Sequence, residues 1–178
     1  NSMGGDSIEI TNEKVLQIVQ KNTVLYDKTG EQHYDIISAF IKSIRGSDPN
    51  GAVYWLARMI EGGEDLKFIA RRLVISASED VGLANPTAII MANNIFQAVS
   101  VIGYPESRIL LSQCAIYLAT SPKSNASYMA IGKAQTVVKQ TGDLSIPIHL
   151  RNAPTKLMKE LGYGEDYKYS HDYPGNFT

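Results

Sequence analysis

From Leu66 to Ala77 the apolar residues fall at Leu66, Ile69, Ala70, Leu73, Val74 and Ala77. Steps of three and four put all of them on one face of an α-helix, whereas a strand would need alternation. The same spacing recurs along most of the chain. Val15, Leu16 and Val19 follow Thr11, a residue suited to an N-cap, and Ile37, Phe40, Ile41 and Ile44 form the next stripe. Helix breakers punctuate these stretches: Gly46, Asp48-Pro49, Gly62-Gly63, Asn85-Pro86, Gly103, Pro105 and Gly142. The segment "PESRILLSQCAIYLAT" is apolar almost all round, which predicts the central, most buried helix, and "KSNASYMAIGKAQTVVKQTG" is the last long one. The expectation is an all-α fold, a helical bundle over 26–145.

Beyond that the character changes. Residues 146–178 hold Pro147, Pro154 and Pro174, the run Gly162-Tyr163-Gly164, and four of the ten Tyr. One short helix, roughly Thr155 to Leu161, interrupts a segment that otherwise reads as an extended Tyr-rich C-terminal tail packed on the bundle through its aromatics. At 178 residues, with 44% apolar and 20% charged residues, the chain is one domain, or one domain with an appendage, and long enough to bury a core without staples. A formal charge of -1 gives no global field toward nucleic acid or membrane. The single cysteine, Cys114, rules out an internal disulfide framework and fits a reducing compartment. No run is long enough for a membrane span. Residues 1–7, with Asn1-Ser2 ahead of Met3, read as a cloning remnant or disordered start, without the pattern of a signal peptide, on a piece of something longer.

The motifs that could carry chemistry fail on inspection. Gly132-Lys133 invites a P-loop, but Ser127 stands where the loop glycine belongs and Ala134 where the magnesium-binding hydroxyl belongs. "RRLVISASED" imitates a strand ending in metal-binding carboxylates, yet its apolar residues continue the helical stripe begun at Leu66. Arg72 and Glu79 then lie nearly two turns apart on one face, with Ser76 between, as parts of a charge network within or between chains. His33, His149 and His171 lack metal-ligand spacing, and Cys114 sits among Leu110, Leu111, Ala115 and Leu118 as a packed thiol. Expected cofactors and metals within this chain are therefore none.

Two sets of residues remain. Lys42 and Arg45 share the polar face of one helix, Arg71 and Arg72 are adjacent on another, Lys123 sits in a turn, and Lys168 lies between Tyr167 and Tyr169. Lys42, Arg45, Arg71, Arg72 and Lys168 are candidate phosphate or DNA contacts; solvated helix faces are the plainer reading. Between Lys42 and Asp65 the Gly, Pro and acidic residues mark helix corners, and this stretch carries the only Trp. Tyr54, Trp55 and Met59 there are candidate subunit contacts, since large aromatics anchor interfaces as well as cores.

The ordered series "SAFIKSIRGSDP", "YWLARM", "GED", "IARRL" and "ASEDVGLANP", with "YPESRILLSQCAIYLATSPKSNASY" and "HLRNAPTKLMKELGYGEDYKYSHDY" further on, resembles the C-terminal region of replication-associated recombination protein A. That family is also called MgsA, and its eukaryotic members are the Werner-helicase-interacting ATPases. The likeness runs from about Ile8 to Tyr173; one departure is Tyr169-Ser170-His171, where the family reads Tyr-Pro-His. The resemblance implies that 8–25 is the end of an AAA+ lid and that 26–145 is a helical domain related to the clamp-loader collar. It further implies a non-catalytic module that assembles a DNA-dependent ATPase as a homotetramer in replication-fork maintenance, recombination and repair. ATP and Mg would belong to the parent protein. DNA (ends, gaps, forks) and single-strand-binding protein would be its partners, and its place cytoplasmic and nucleoid-associated, with no membrane. The alternative function is a DNA- or partner-docking module of the same ATPase.

Overall fold

The computed structural model describes residues 11–13 and 31–178. The expected helix over Thr11–Lys21 and the lid expected at 8–25 lie almost entirely outside the described residues. The chain divides into two compact units, 1–131 and 132–178.

The described residues of the first unit are mostly helical. Helix α1, Glu31–Arg45, buries Ile37, Phe40, Ile41 and Ile44, the stripe read from the sequence. It stops where Gly46 N–H donates to the Lys42 carbonyl at 2.8 Å and Ser47 turns to φ 60°. Asp48 then caps α2, Pro49–Glu61, by accepting from Gly51 N–H at 2.9 Å, with Pro49 in the first turn where its missing N–H costs nothing. Gly51 is needed there, because a Cβ would stand 2.4 Å from Asp48 Oδ2. Asp65 caps α3, Leu66–Ser76, through Lys67 N–H.

Helix α3 widens into a π turn at Ala77–Val81 and a 3-10 turn at Gly82–Ala84. Gly82 has φ +50°, and a Cβ on it would meet the Ser124 carbonyl oxygen at 2.5 Å. Helices α4, Thr87–Ile102, and α5, Ser107–Thr120, follow.

As the sequence predicts, α5 is the centre: it packs against α1, α2, α3 and α4. Leu111, Cys114, Ala115, Leu118 and Ala119 are fully buried, and the small residues among them let neighbouring backbones approach closely. Its burial is not all-round, since Ile109 and Ile116 face solvent.

Helix α6, Ala126–Thr141, spans the division between the units, and no residue along it is buried. The second unit continues through a 3-10 turn at Ile148–Leu150, a short α7, Lys156–Glu160, and turns at Ser170–Asp172 and Pro174–Asn176. The tail is thus not simply extended. Arg151 Nε donates to the Ile146 carbonyl at 2.7 Å, Arg151 Nη1 donates to the Tyr163 hydroxyl at 3.2 Å, and the guanidinium lies 5.1 Å from that ring's centroid. Gly164 N–H closes back onto the Ile148 carbonyl at 3.0 Å. These local bonds fold 146–165 on itself, while Tyr167, Tyr169 and Tyr173 stay exposed.

Among the described residues there is no strand, and none of the helices is long and apolar enough to cross a membrane.

Candidate functional site

The sequence separates Lys42 and Arg45 from Arg72 by about thirty residues, and the fold brings them together. α1 and α3 border a groove of about 510 Å³ lined, among the described residues, by Lys42, Arg45, Arg72, Tyr34, Phe68 and Ser38 with His33, Ile37 and Ile41. Helical phase explains the convergence. Ile37, Ile41 and Ile44 turn one face of α1 into the core, which leaves Ser38, Lys42 and Arg45 on the flank beside α3.

Each cation is held differently. Arg45 Nε donates to Asp80 Oδ1, and Nη2 reaches Glu79 Oε1 at 3.3 Å. The hydrogen bond to Asp80 raises the Arg45 pKa further, against the opposing effect of burial. The Arg72 side chain is half-buried, and its Nε is sealed from solvent with no hydrogen-bond partner. Lys42 is exposed. Arg71 lies outside the groove, its guanidinium 5.8 Å from the centroid of Phe68. His33 Nδ1 stands 2.8 Å from Glu64 Oε2 at one end, and its ring meets Tyr34 edge-on at 5.2 Å. Lys168 is an exposed residue of the second unit.

The charge network expected between Arg72 and Glu79 is corrected here. The π turn at Ala77–Val81 breaks the α-helical register, so Glu79 and Asp80 point to Arg45 on α1. Sequence reading missed Asp80, whose side chain keeps only 5% of its surface exposed. Its one signal was a carboxylate in the continuation of an apolar stripe. Lys123, grouped by sequence with the phosphate-seeking cations, instead ties the end of α5. Its ammonium donates to the carbonyls of Ala119 at 3.0 Å and Ser121 at 2.6 Å, and to Ser47 Oγ at 3.2 Å. Burial lowers its pKa.

The candidate contacts on α2 separate. Tyr54 is exposed. Trp55 is half-buried against the core, with the Arg58 guanidinium 5.5 Å from its ring centroid, beside a second hollow of about 400 Å³ that Asp35 also lines. Met59 is 1% exposed and belongs to the core, so it is withdrawn as a surface contact: its position one turn beyond Trp55 points inward with Leu56 and Ala52.

Gly132-Lys133, which invited the comparison with a P-loop, lies inside α6 and is exposed. Among the described residues no group of His, Cys, Asp and Glu could hold a metal ion. Cys114 is buried, and desolvation pushes its thiol up to about 12.

A helical module with a cationic groove and no catalytic constellation among its described residues is the class these features define. Residues 46–178 match the model of the MgsA AAA+ ATPase C-terminal family, and residues 1–45 match that of the AAA C-terminal domain. The chain is 48% identical over 153 residues to the replication-associated recombination protein A of Coxiella burnetii, covering 86% of this chain and 35% of that one. The corresponding protein of Bacillus subtilis is 47% identical over 171 residues, 96% of this chain and 40% of the relative. The ATPase WRNIP1 of Dictyostelium discoideum is 43% identical over 166 residues, 93% of this chain and 19% of the relative. The chain belongs to the MgsA AAA+ ATPase C-terminal family, and it spans less than half the length of these relatives.

Proposed function

We propose that this chain is the assembly module of an AAA+ ATPase of replication-associated recombination, and that it forms a homotetramer. The observation that carries the reading is α6. Ile131, Ala134 and Val138 follow one another at helical spacing, Val137 and Ala130 flank them, and every one of these residues is exposed. An amphipathic helix with its apolar face uncovered is stable in water when a second surface covers it. Exposed Ile90 on α4 and Ile109 and Ile116 on α5 add apolar area that the bundle itself leaves open. Closed symmetry is the usual result of such self-association, and the number four comes from the family likeness.

In the whole protein, ATP and Mg would be handled by the ATPase module, and this module would hold the subunits together. DNA ends, gaps and forks, and single-strand-binding protein, would be partners of the whole assembly, placed at the nucleoid. Multi-angle light scattering of the purified chain tests the reading: a mass four times the 19.6 kDa of the chain supports it, and a monomer mass at micromolar concentration overturns it.

A further inference from the structure

We propose that the hollow between α1 and α2 takes the Asp166-Tyr167-Lys168 segment of a second copy of this chain, with Tyr167 against Trp55 and the two charges on Arg58 and Asp35. The inference rests on the self-association proposed above and names one contact within it.

The tail needs cover. No residue of 132–178 is buried, although the unit makes hydrogen bonds of its own. A unit this small without a core is held by another surface. Among its rings, Tyr163 is taken by Arg151, and Tyr169 stands 5.1 Å from the His171 ring. Tyr167 is 55% exposed and has no ring or cation partner among the described residues. Tyr173 and Phe177 are exposed as well, but only Tyr167 lies between an acid and a base. Asp166 has φ 62°, which breaks the extended alternation that would set both charges opposite the ring.

The hollow offers the complementary set. Trp55, Ile36 and Ala39 give it an apolar wall, and Asp35 and Arg58 line it with opposite signs. No ion pair joins these two, and Asp35 has no ion pair with any described residue. The Arg58 guanidinium caps one side of the indole at 5.5 Å, and a volume of about 400 Å³ is left for an aromatic side chain. A purely apolar occupant would desolvate both charges without matching either, an acidic one would meet Asp35, and a basic one would meet Arg58. A ring flanked by one acid and one base answers all three requirements. Every copy carries both the hollow and the segment, so the contact repeats from subunit to subunit and closes into a ring.

Trp55 is the only Trp of the chain, so its fluorescence reads the hollow. Tyr167→Ala is expected to move the emission to longer wavelength. Co-expression with an excess of Trp55→Phe, which brings an intact Tyr167 and no Trp, is expected to restore the native maximum. A synthetic peptide of residues 163–178, titrated into the Tyr167→Ala chain, should shift the emission back saturably. The same peptide carrying Tyr167→Ala should bind at least about tenfold more weakly. Adding Asp35→Lys to the Tyr167→Ala chain should weaken the native peptide about fivefold, and a peptide with Lys168→Glu should recover that loss. Asp35, Tyr167 and Lys168 are exposed, so these variants keep the fold. Emission unchanged by Tyr167→Ala, no restoration by Trp55→Phe, or no recovery by the Lys168→Glu peptide each overturns the proposal. Light scattering keeps the two readings apart. A mass of four chains with any of those failures leaves the tetramer standing without this contact, and a monomer mass with saturable peptide binding removes the tetramer and keeps the contact.

Discussion

Asp80 is the residue on which the junction of α1 with the π turn depends. It is buried, it accepts from Arg45, its Oδ2 has no partner, and its own carbonyl accepts from Ser124 N–H at 2.8 Å. Glu79 reaches the same guanidinium from a more exposed position. Removing a buried partner leaves a charge unmatched, whereas an exposed pair contributes little. Asp80→Asn is therefore expected to cost about 2 kcal/mol, discounted because Arg45 is half-exposed, and Glu79→Gln less than about 0.5 kcal/mol. Urea denaturation midpoints of the two variants check this, and equal losses would contradict the geometry.

Cys114 supplies a pH dependence. Its thiol is at about 12 in the folded chain against 9.0 ordinarily, because burial disfavours the thiolate. Above pH 9 the unfolded chain ionises there and the folded chain does not, so this contribution to stability is lost as pH rises toward 12, with a limiting slope of about 1.4 kcal/mol per unit. Denaturation at pH 8 and pH 10.5 should show a steeper loss for the native chain than for Cys114→Ala, with no reaction of the folded thiol with a disulfide reagent at pH 8.

At the scale of elements, α6 and α2 offer different faces. Ile131 is exposed on the apolar stripe of α6, and Tyr54 is exposed on α2. If the proposed tetramer forms through this stripe, Ile131→Glu is expected to dissociate it while helical circular dichroism is retained. Tyr54→Glu should retain the fold as well, and its effect on mass decides whether α2 joins the interface. Met59→Glu should unfold the chain, because a carboxylate at a core position has no partner. Light scattering and circular dichroism on the three variants separate interface from core. The α5–α6 turn is held from three sides by Lys123, so Lys123→Met should cost about 1–2 kcal/mol in lost capping bonds, read from thermal denaturation.

For the whole molecule, the matched families place this chain at the C-terminal part of an AAA+ ATPase, and the loop residues that cradle phosphate are wanting around Gly132-Lys133. Titration with a fluorescent ATP analogue is expected to give no saturable, magnesium-dependent binding. Micromolar binding would show that a nucleotide site exists in this chain. The two compact units divide inside α6, at 131/132, earlier than the change of composition near 146 suggested. The family models meet at 45/46, at the end of α1, whereas the likeness read from sequence ended the lid at 25.

Local chemistry made the helices legible. Apolar residues at three and four, Asp48 and Asp65 before first turns, and glycines after last turns each act within a few residues, so α1 to α5 and their order could be read directly. Burial of Cys114 and the centrality of α5 followed from the same patterns, because a helix apolar on several faces needs neighbours on several sides. The exposure of the apolar stripe of α6 was not legible, since an amphipathic pattern states that a face wants covering and not what covers it. Met59 was misread although the signal was there: Ala52, Leu56 and Met59 stand at helical spacing and form the buried stripe of α2. The pairing of Arg45 with Asp80, and the meeting of Lys42, Arg45 and Arg72 at one groove, join residues some thirty positions apart. Only the tertiary structure decides such contacts, because they depend on how α1 and α3 lie together and on one π turn that shifts two carboxylates out of register.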